Sequence, residues 1–177
     1  MRFRNLIPLL VLLACSSAAP AADPPAVPDD FKMVVRFGPG YSDWLSWRYT
    51  ITADGKVAQE IGPGGRGNPP ERTEKETKLK KDEVAALFAK VKEADFFKLK
   101  EQYKGKVTDQ ATLILEITAD KKTHTVKLYG HRFLREKEDQ DAADRFLSVW
   151  SEVLRKLPAP NPDQKVDLYK PGNYRTK

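Results

Sequence analysis

Hydrophobic and polar residues alternate through the middle of the chain, in two arms that a short polar segment separates. This period of two is typical of β-strands that bury one face. Pairing Leu115 with Val126 keeps the apolar side chains of both arms together, whereas a shift by one residue would turn those of the second arm outward. The pattern therefore predicts a β-hairpin that turns at 119–122. The apolar side chains on its buried face are Leu113, Leu115, Ile117, Val126 and Leu128.

Alternation also predicts strands ahead of this hairpin. Apolar residues occupy every second position from Met33 to Phe37, and they do so again in 46–52. The polar stretch 71–78 follows a loop rich in glycine and proline, and it has few apolar residues to bury. We expect it to be an edge strand.

A turn signal, Asp54-Gly55, follows the second predicted strand. Two-residue loops are the commonest hairpin connections, but such a loop here would turn Val57 to the polar face. A three-residue loop over 53–55, with Gly55 in the left-handed region, pairs Ile51 with Val57 instead. We therefore expect the longer loop.

Two later segments have the 3.6-residue period of amphipathic helices. The first helix is predicted over 81–94, where Asp82 and Glu83 favour the N-terminal end. The second is predicted over 141–157 and ends before Pro158. The apolar stripes comprise Val84, Leu87, Phe88 and Val91 in the first helix and Ala143, Phe146, Trp150, Val153 and Leu157 in the second.

These elements predict a single α+β domain over 31–158. Its antiparallel sheet would consist of two hairpins, in a ββα order that occurs twice, packed against the two amphipathic helices. Similar residues at the two turns, in 51–56 and 117–122, fit such a repeat. The residues after the domain, 159–177, are predicted to form a polar C-terminal tail.

The N-terminus has the composition of an export signal, because two arginines precede an apolar run that is too short to span a bilayer. Two interpretations stay open. Residues 1–21 are a cleaved signal peptide, or residues 1–14 are a lipoprotein signal and Cys15 is acylated, since Leu-Leu-Ala-Cys resembles a lipobox. In either case the segment 22–30, rich in proline and alanine, is expected to be a flexible tether.

The composition excludes several classes of function. Charged residues make up 32% of the chain, but both signs are interleaved and the net charge is only +6, so we expect no nucleic-acid partner. Cys15 is the single cysteine, which excludes an internal disulfide and, once it is acylated or removed, thiolate chemistry. The two histidines, His124 and His131, lack a recognised ligand spacing, so neither a metal nor another cofactor is expected.

Two sets of residues are candidates for chemistry. The aromatic residues Tyr41, Trp44 and Trp47 could bind a partner or a small ligand, because rigid rings bury much area at low entropic cost. Alternatively, Trp44 folds back onto the end of the sheet. Asp109 and Glu116 could form a glycosidase-like pair, although Asp109 has the position of a turn residue and Glu116 that of a solvated strand residue.

Several short motifs in this chain occur together in one known family. They are Tyr49-Thr-Ile-Thr-Ala-Asp-Gly55, Phe96-Phe-Lys-Leu99, Tyr103, Thr108-Asp-Gln-Ala-Thr112 and Thr125-Val-Lys-Leu-Tyr129. With them, the chain resembles a bacterial family of small exported domains of unknown function, over roughly Met33 to Leu157. The family often carries cysteines near the first hairpin, and the loop 38–44 of this chain has none. The resemblance implies the fold and export, and it implies no activity.

From the sequence we expect a non-enzymatic exported domain that binds or scaffolds at the bacterial cell envelope. Its partner would be an envelope protein or a glycan, and only a lipid anchor would attach it to the membrane. It would occur as a membrane-anchored lipoprotein or as a periplasmic or secreted domain. The alternatives are a cell-wall hydrolase that uses the paired carboxylates and a small-ligand binder that uses the aromatic loop.

Overall fold

Two helices pack on one face of a seven-stranded β-sheet in the described part of the chain, which confirms the predicted α+β class. The computed structural model describes residues 25–40, 45–62, 73–157, 169, 171–172 and 174. The strands are β1 (Lys32–Gly38), β2 (Ser46–Thr52), β3 (Lys56–Gly62), β4 (Thr73–Lys78), β5 (Gln102–Lys104), β6 (Thr112–Ala119) and β7 (Lys122–Tyr129), and the helices are α1 (Lys81–Glu93) and α2 (Lys137–Lys156).

The strand order across the sheet is β4-β3-β2-β1-β6-β7-β5. Every neighbouring pair is antiparallel except β5 and β7, which are parallel. β1 lies at the centre and pairs with both β2 and β6, so it joins the two halves of the sheet.

The hairpin predicted in the middle of the chain is confirmed as β6 and β7, and Leu115 pairs with Val126. Asp120 and Lys121 form its turn, with φ angles of 52° and 62°. Positive φ at both central residues is the geometry of the commonest two-residue hairpin turn. The hydrophobic pattern therefore sets both the register and the turn.

The residues just ahead of β1 are tied to this turn. The carboxylate of Asp30 accepts hydrogen bonds from the backbone N–H groups of Asp120, at 3.0 Å, and Lys121, at 2.6 Å. The domain therefore begins beside the β6–β7 turn.

The three-residue loop predicted between β2 and β3 is also confirmed. Ile51 pairs with Val57, and Gly55 has a φ of 84°, in the left-handed region. The predicted edge strand is β4, whose side chains in 74–78 are exposed.

The predicted sheet of two hairpins is incomplete. In the sheet, β1 separates the two hairpins, and β5 forms a parallel edge beside β7. In the chain, β4 comes between the first hairpin and α1. The sequence pattern does not predict β5, because this strand buries only one side chain, Tyr103, and one buried residue shows no alternation.

The first helix is confirmed, whereas the second begins earlier than the predicted residue 141. α2 starts at Lys137, because the charged residues that looked like a loop fit a first helical turn. Glu138 and Asp139 favour the positive end of the helix dipole there. The helix packs on the sheet through Trp150, which is fully buried and whose ring centroid lies 5.4 Å from that of Trp47.

Part of the predicted C-terminal tail packs on the domain. Tyr169 is buried, and its ring centroid lies 5.9 Å from that of Phe37. The hydroxyl of Tyr174 donates to Asp144 on α2, at 2.6 Å. These contacts hold the two tyrosines against the domain although the segment is mostly polar.

Some of the predictions fall outside the described residues. They concern the leader with Cys15, the tether residues 22–24, and the loop residues Tyr41 and Trp44. Of the helices in the described part of the chain, none has an apolar stretch long enough to cross a bilayer.

Candidate functional site

The face of the sheet that points away from the helices is polar. The core cluster contains strand side chains of the opposite face, and Val34, although buried, lies outside that cluster. We call this surface the open face. Its described side chains include Lys32, Val34, Arg36, Arg48, Thr50, Thr52, Ala58, Glu60, Ile114, Glu116, Thr118, Thr123, Thr125 and Lys127.

Two arginines lie side by side near the centre of the open face. Arg36 on β1 and Arg48 on β2 are direct cross-strand partners. Arg36 donates from Nη2 to Oε2 of Glu116 at 3.3 Å, and Nη1 of Arg48 lies 3.8 Å from Oε1 of Glu60. The arginine side chains are 40% and 35% exposed. Each guanidinium therefore has one carboxylate neighbour and keeps part of its surface in water.

A cleft of about 370 Å³ lies beside the two arginines, at the ends of β1, β2 and β3. Its lining residues are Arg36, Phe37, Ser46, Trp47, Arg48, Glu60, Ile61 and Gly62. Phe37, Trp47 and Ile61 occupy the alternate positions of their strands, on the helix side of the sheet, and they also contribute to the lining of the cleft. Gly62 pairs with Ser46 and has no side chain to fill the space between the two strand ends.

Within the cleft, the gap between Gly62 and Ser46 is narrow. A Cβ atom added to Gly62 would lie 3.1 Å from Oγ of Ser46. This part of the cleft is open because residue 62 is glycine, and a larger residue would narrow it.

A family model described as a domain of unknown function, DUF6438, matches residues 46–148, which is more than half of the chain. The chain belongs to the DUF6438 family. A search of curated proteins gave no match. The match confirms the resemblance to a family of unknown function, and it spans the elements from β2 to most of α2.

The DUF6438 match contains three of the four residues that form the two ion pairs of the open face. Arg48, Glu60 and Glu116 lie inside the matched segment, whereas Arg36 lies on β1, ahead of it. The two ion pairs therefore combine the matched segment with the central strand that precedes it.

Of the aromatic candidates of this DUF6438 chain, Trp47 lies in the described part, and it is a core residue. Trp47 is 3% exposed and packs against the rings of Phe37, Tyr49 and Trp150. Its indole belongs to the core, so it has little surface to offer a ligand. Burial also raises the pKa of Tyr49 to about 12, partly opposed by the hydrogen bond from Gln59.

The two carboxylates considered as a catalytic pair are not brought together. Glu116 pairs with Val34, and Asp109 lies beside Gly40, past the other end of β1. The strand between these positions spans roughly 20 Å, at about 3.3 Å per residue. The carboxylates of glycosidases are about 5–9.5 Å apart. Asp109 is exposed and has a φ of 60°, so the left-handed backbone explains an aspartate at this turn.

The histidines have contacts within the fold. Nε2 of His124 lies 2.8 Å from the backbone oxygen of Leu99, and its ring packs against Phe96 and Phe97. His131 is buried beside Tyr169. In the described ranges, no three His, Cys, Asp or Glu residues are grouped so that they could hold a metal ion.

Reasoning from the sequence missed the arginine pair. Each arginine was visible as a polar residue between apolar ones on a predicted strand. The register of β1 with β2 could have predicted that the two arginines are neighbours. When Phe37 lies opposite Trp47, Arg36 lies opposite Arg48.

Proposed function

We propose that this chain is a non-enzymatic exported domain that binds or scaffolds at the bacterial cell envelope through its open face. The observation that carries the proposal is the paired Arg36 and Arg48 on the sheet face opposite the helices. A sheet that needed only a solvated surface would gain nothing from two like charges directly opposite each other. The partner is an envelope protein or a glycan.

Export is supported by the leader, and attachment to a membrane by the lipobox-like residues that end at Cys15. Fractionation of bacteria that express the full chain tests both points. We expect the wild type in the membrane fraction and Cys15→Ser in the soluble exported fraction. A wild type retained in the cytoplasm would contradict export, and a soluble wild type that begins at Ala22 would contradict the anchor.

Co-sedimentation with purified envelope material tests binding through the open face. Thr50→Trp places a bulky ring at the centre of that face, next to the arginine row. Thr77→Trp makes the same substitution at an exposed position on the edge strand β4, where Thr77 pairs with the core residue Val57, and is the matched control. We expect the first variant to sediment less than the wild type and the control to sediment equally. Equal sedimentation of both variants would place the binding surface elsewhere.

The small-ligand alternative is favoured by one observation, the cleft beside Arg36 and Arg48. This cleft lies next to Ser46, at the start of β2, and the aromatic loop precedes that strand in sequence. A change in the tryptophan fluorescence of the full chain on addition of a ligand would support the small-ligand alternative.

We also propose that the two hairpins derive from one repeated ββα unit. The similar turn residues in 51–56 and 117–122 support this, as does the helix that comes later in the chain after each hairpin. In such an arrangement the first unit supplies Arg48 and Glu60 to the open face, and the second supplies Glu116.

A further inference from the structure

Glu116 and Glu60 balance the formal charge of the two arginines, but only through long contacts. Arg36 and Arg48 are direct partners, and their carboxylate contacts, at 3.3 Å and 3.8 Å, are at or beyond the length of an ordinary hydrogen bond. The Nε atoms of both arginines are buried and have no hydrogen-bond partner among the described residues. The two guanidinium groups have therefore lost water on one side without gaining full compensation.

Their chemistry selects a class of ligand. A guanidinium group is planar and presents parallel N–H donors that match the two oxygens of a carboxylate or phosphate. Two such groups on adjacent strands can flank one oxyanion and donate to it, because their own carboxylate contacts are long. A neutral ligand would accept weaker hydrogen bonds from the same donors.

The cleft adds a place for the rest of the ligand. It lies directly beside the two arginines, and its volume of about 370 Å³ is enough for one small group such as a sugar or a short peptide unit. Ser46 and Glu60 line it. The hydroxyl of Ser46 and the carboxylate of Glu60 in the lining of the cleft suit a ligand that carries hydroxyl or amide groups next to its oxyanion.

We propose that the cleft at Arg36 and Arg48 binds an oxyanion, a carboxylate or a phosphate, carried by the envelope ligand. The assignment rests on the proposed function for the identity of the carrier, and on the arginine geometry for the chemistry. The carboxylates of wall peptides and the phosphates of glycerol phosphate polymers are the two sources of this group.

Isothermal titration calorimetry on the purified full chain tests the site directly. The probes are an N-acetylmuramyl dipeptide with free carboxyl groups, the same compound as its methyl ester, and glycerol phosphate. We expect the free acid or glycerol phosphate to bind and the ester to bind more weakly. The probe that binds more tightly identifies the source of the oxyanion. No binding of either anion below about 10 mM, a free energy near −3 kcal/mol, would overturn the proposal.

Matched variants separate the site from general charge. Arg48→Gln should weaken binding about tenfold or more, which corresponds to about 1.4 kcal/mol. Arg145→Gln removes the same charge from the exposed surface of α2 and should change binding less than twofold. Arg48→Lys keeps the charge but loses the parallel N–H donors of the guanidinium group. This variant should therefore bind the probes less tightly than the wild type. Thermal unfolding of each variant checks that it is folded, and wild-type affinity in Arg48→Gln would overturn the site.

Gly62→Val tests the cleft without changing any charge. The added side chain would narrow the hollow beside Ser46, and valine is favoured in strands. We expect this substitution to weaken binding of the muramyl probe more than binding of glycerol phosphate, because the larger probe needs more of the cleft. Equal effects on both probes would show that the ligand lies outside it.

The outcomes also separate this inference from the proposed function. Full envelope co-sedimentation of an Arg36→Gln, Arg48→Gln double variant would reject the oxyanion site and leave envelope binding intact. A wild type that binds the small anions but does not sediment with envelope material would support the site and reject the envelope function.

Discussion

Arg36 and Arg48 face each other directly across β1 and β2, where like charges destabilise a sheet. We expect Arg48→Thr to change the free energy of unfolding by less than about 1 kcal/mol, because the lost contact to Glu60 is a weak surface ion pair and some repulsion is relieved. Urea denaturation measures this change. Tyr49→Ala, at the neighbouring buried position, is the control that should cost several times more. A loss above about 2 kcal/mol in Arg48→Thr would indicate a structural role.

Asp30 joins the start of the domain to the β6–β7 turn through two backbone N–H groups. Replacing it with alanine should lower stability by about 1 kcal/mol, the net contribution of a typical hydrogen bond. Asp29→Ala removes the same charge from the adjacent exposed position and should be nearly neutral. If both variants unfold at the same denaturant concentration, the carboxylate contacts contribute nothing to stability.

Lys121 occupies the second left-handed position of the β6–β7 turn, with a φ of 62°. Glycine adopts this conformation without steric cost, so we expect Lys121→Gly to raise the free energy of unfolding by about 0.5–1 kcal/mol. Lys122→Gly, at the first position of β7, should lower it by a similar amount because glycine weakens strands. Thermal melts of the pair check the sign, and a lower melting temperature for Lys121→Gly would contradict the turn assignment.

Trp150 is fully buried, and its Nε1 has no hydrogen-bond partner among the described residues. Trp150→Ala should lower stability by about 3–5 kcal/mol, as is usual for truncating a buried aromatic side chain. Trp150→Phe should cost clearly less, because it keeps an aromatic ring against Trp47 and removes an unsatisfied donor. Chemical denaturation compares the two variants, and equal costs would contradict the packing of the ring at this position against Trp47.

Two buried tyrosines make stability depend on alkaline pH. Burial raises the pKa of Tyr49 and of Tyr169 to about 12 each. Between pH 10 and 12 the unfolded chain loses these protons while the folded chain keeps them, so stability should fall as pH rises. Tyr49→Phe should show a shallower fall than the wild type in denaturation curves taken across this range. Parallel pH profiles for the two proteins would contradict the raised pKa.

Local patterns were enough to predict the hairpins and the first helix. Leu115 opposite Val126, and Ile51 opposite Val57, followed from alternation within segments that are close in sequence. The start of α2 was harder to predict, because charged residues such as Lys137 fit either a solvated loop or an exposed first helical turn.

The central position of β1 and the arginine pair required pairings that are distant in sequence. β1 has two apolar neighbours, β2 and β6, and nothing in its own alternation tells which strands lie beside it. Because Glu116 lies far along the chain from Arg36, their ion pair depends on that long-range order. Trp47 was a binding candidate although it lies on a predicted strand, because the sequence does not show that α2 covers it.

The contact at Asp30 also sets the end of the domain at which the N-terminal segment joins it. β1 starts next to Asp30 and ends at the arginine cleft, a distance of roughly 20 Å at about 3.3 Å per residue. An attachment at the N-terminus would therefore hold the domain by the end of β1 that lies away from the cleft. Deleting residues 22–24 would shorten that attachment by roughly 10 Å at most, and it would remove neither the Asp30 contact nor any residue of the cleft.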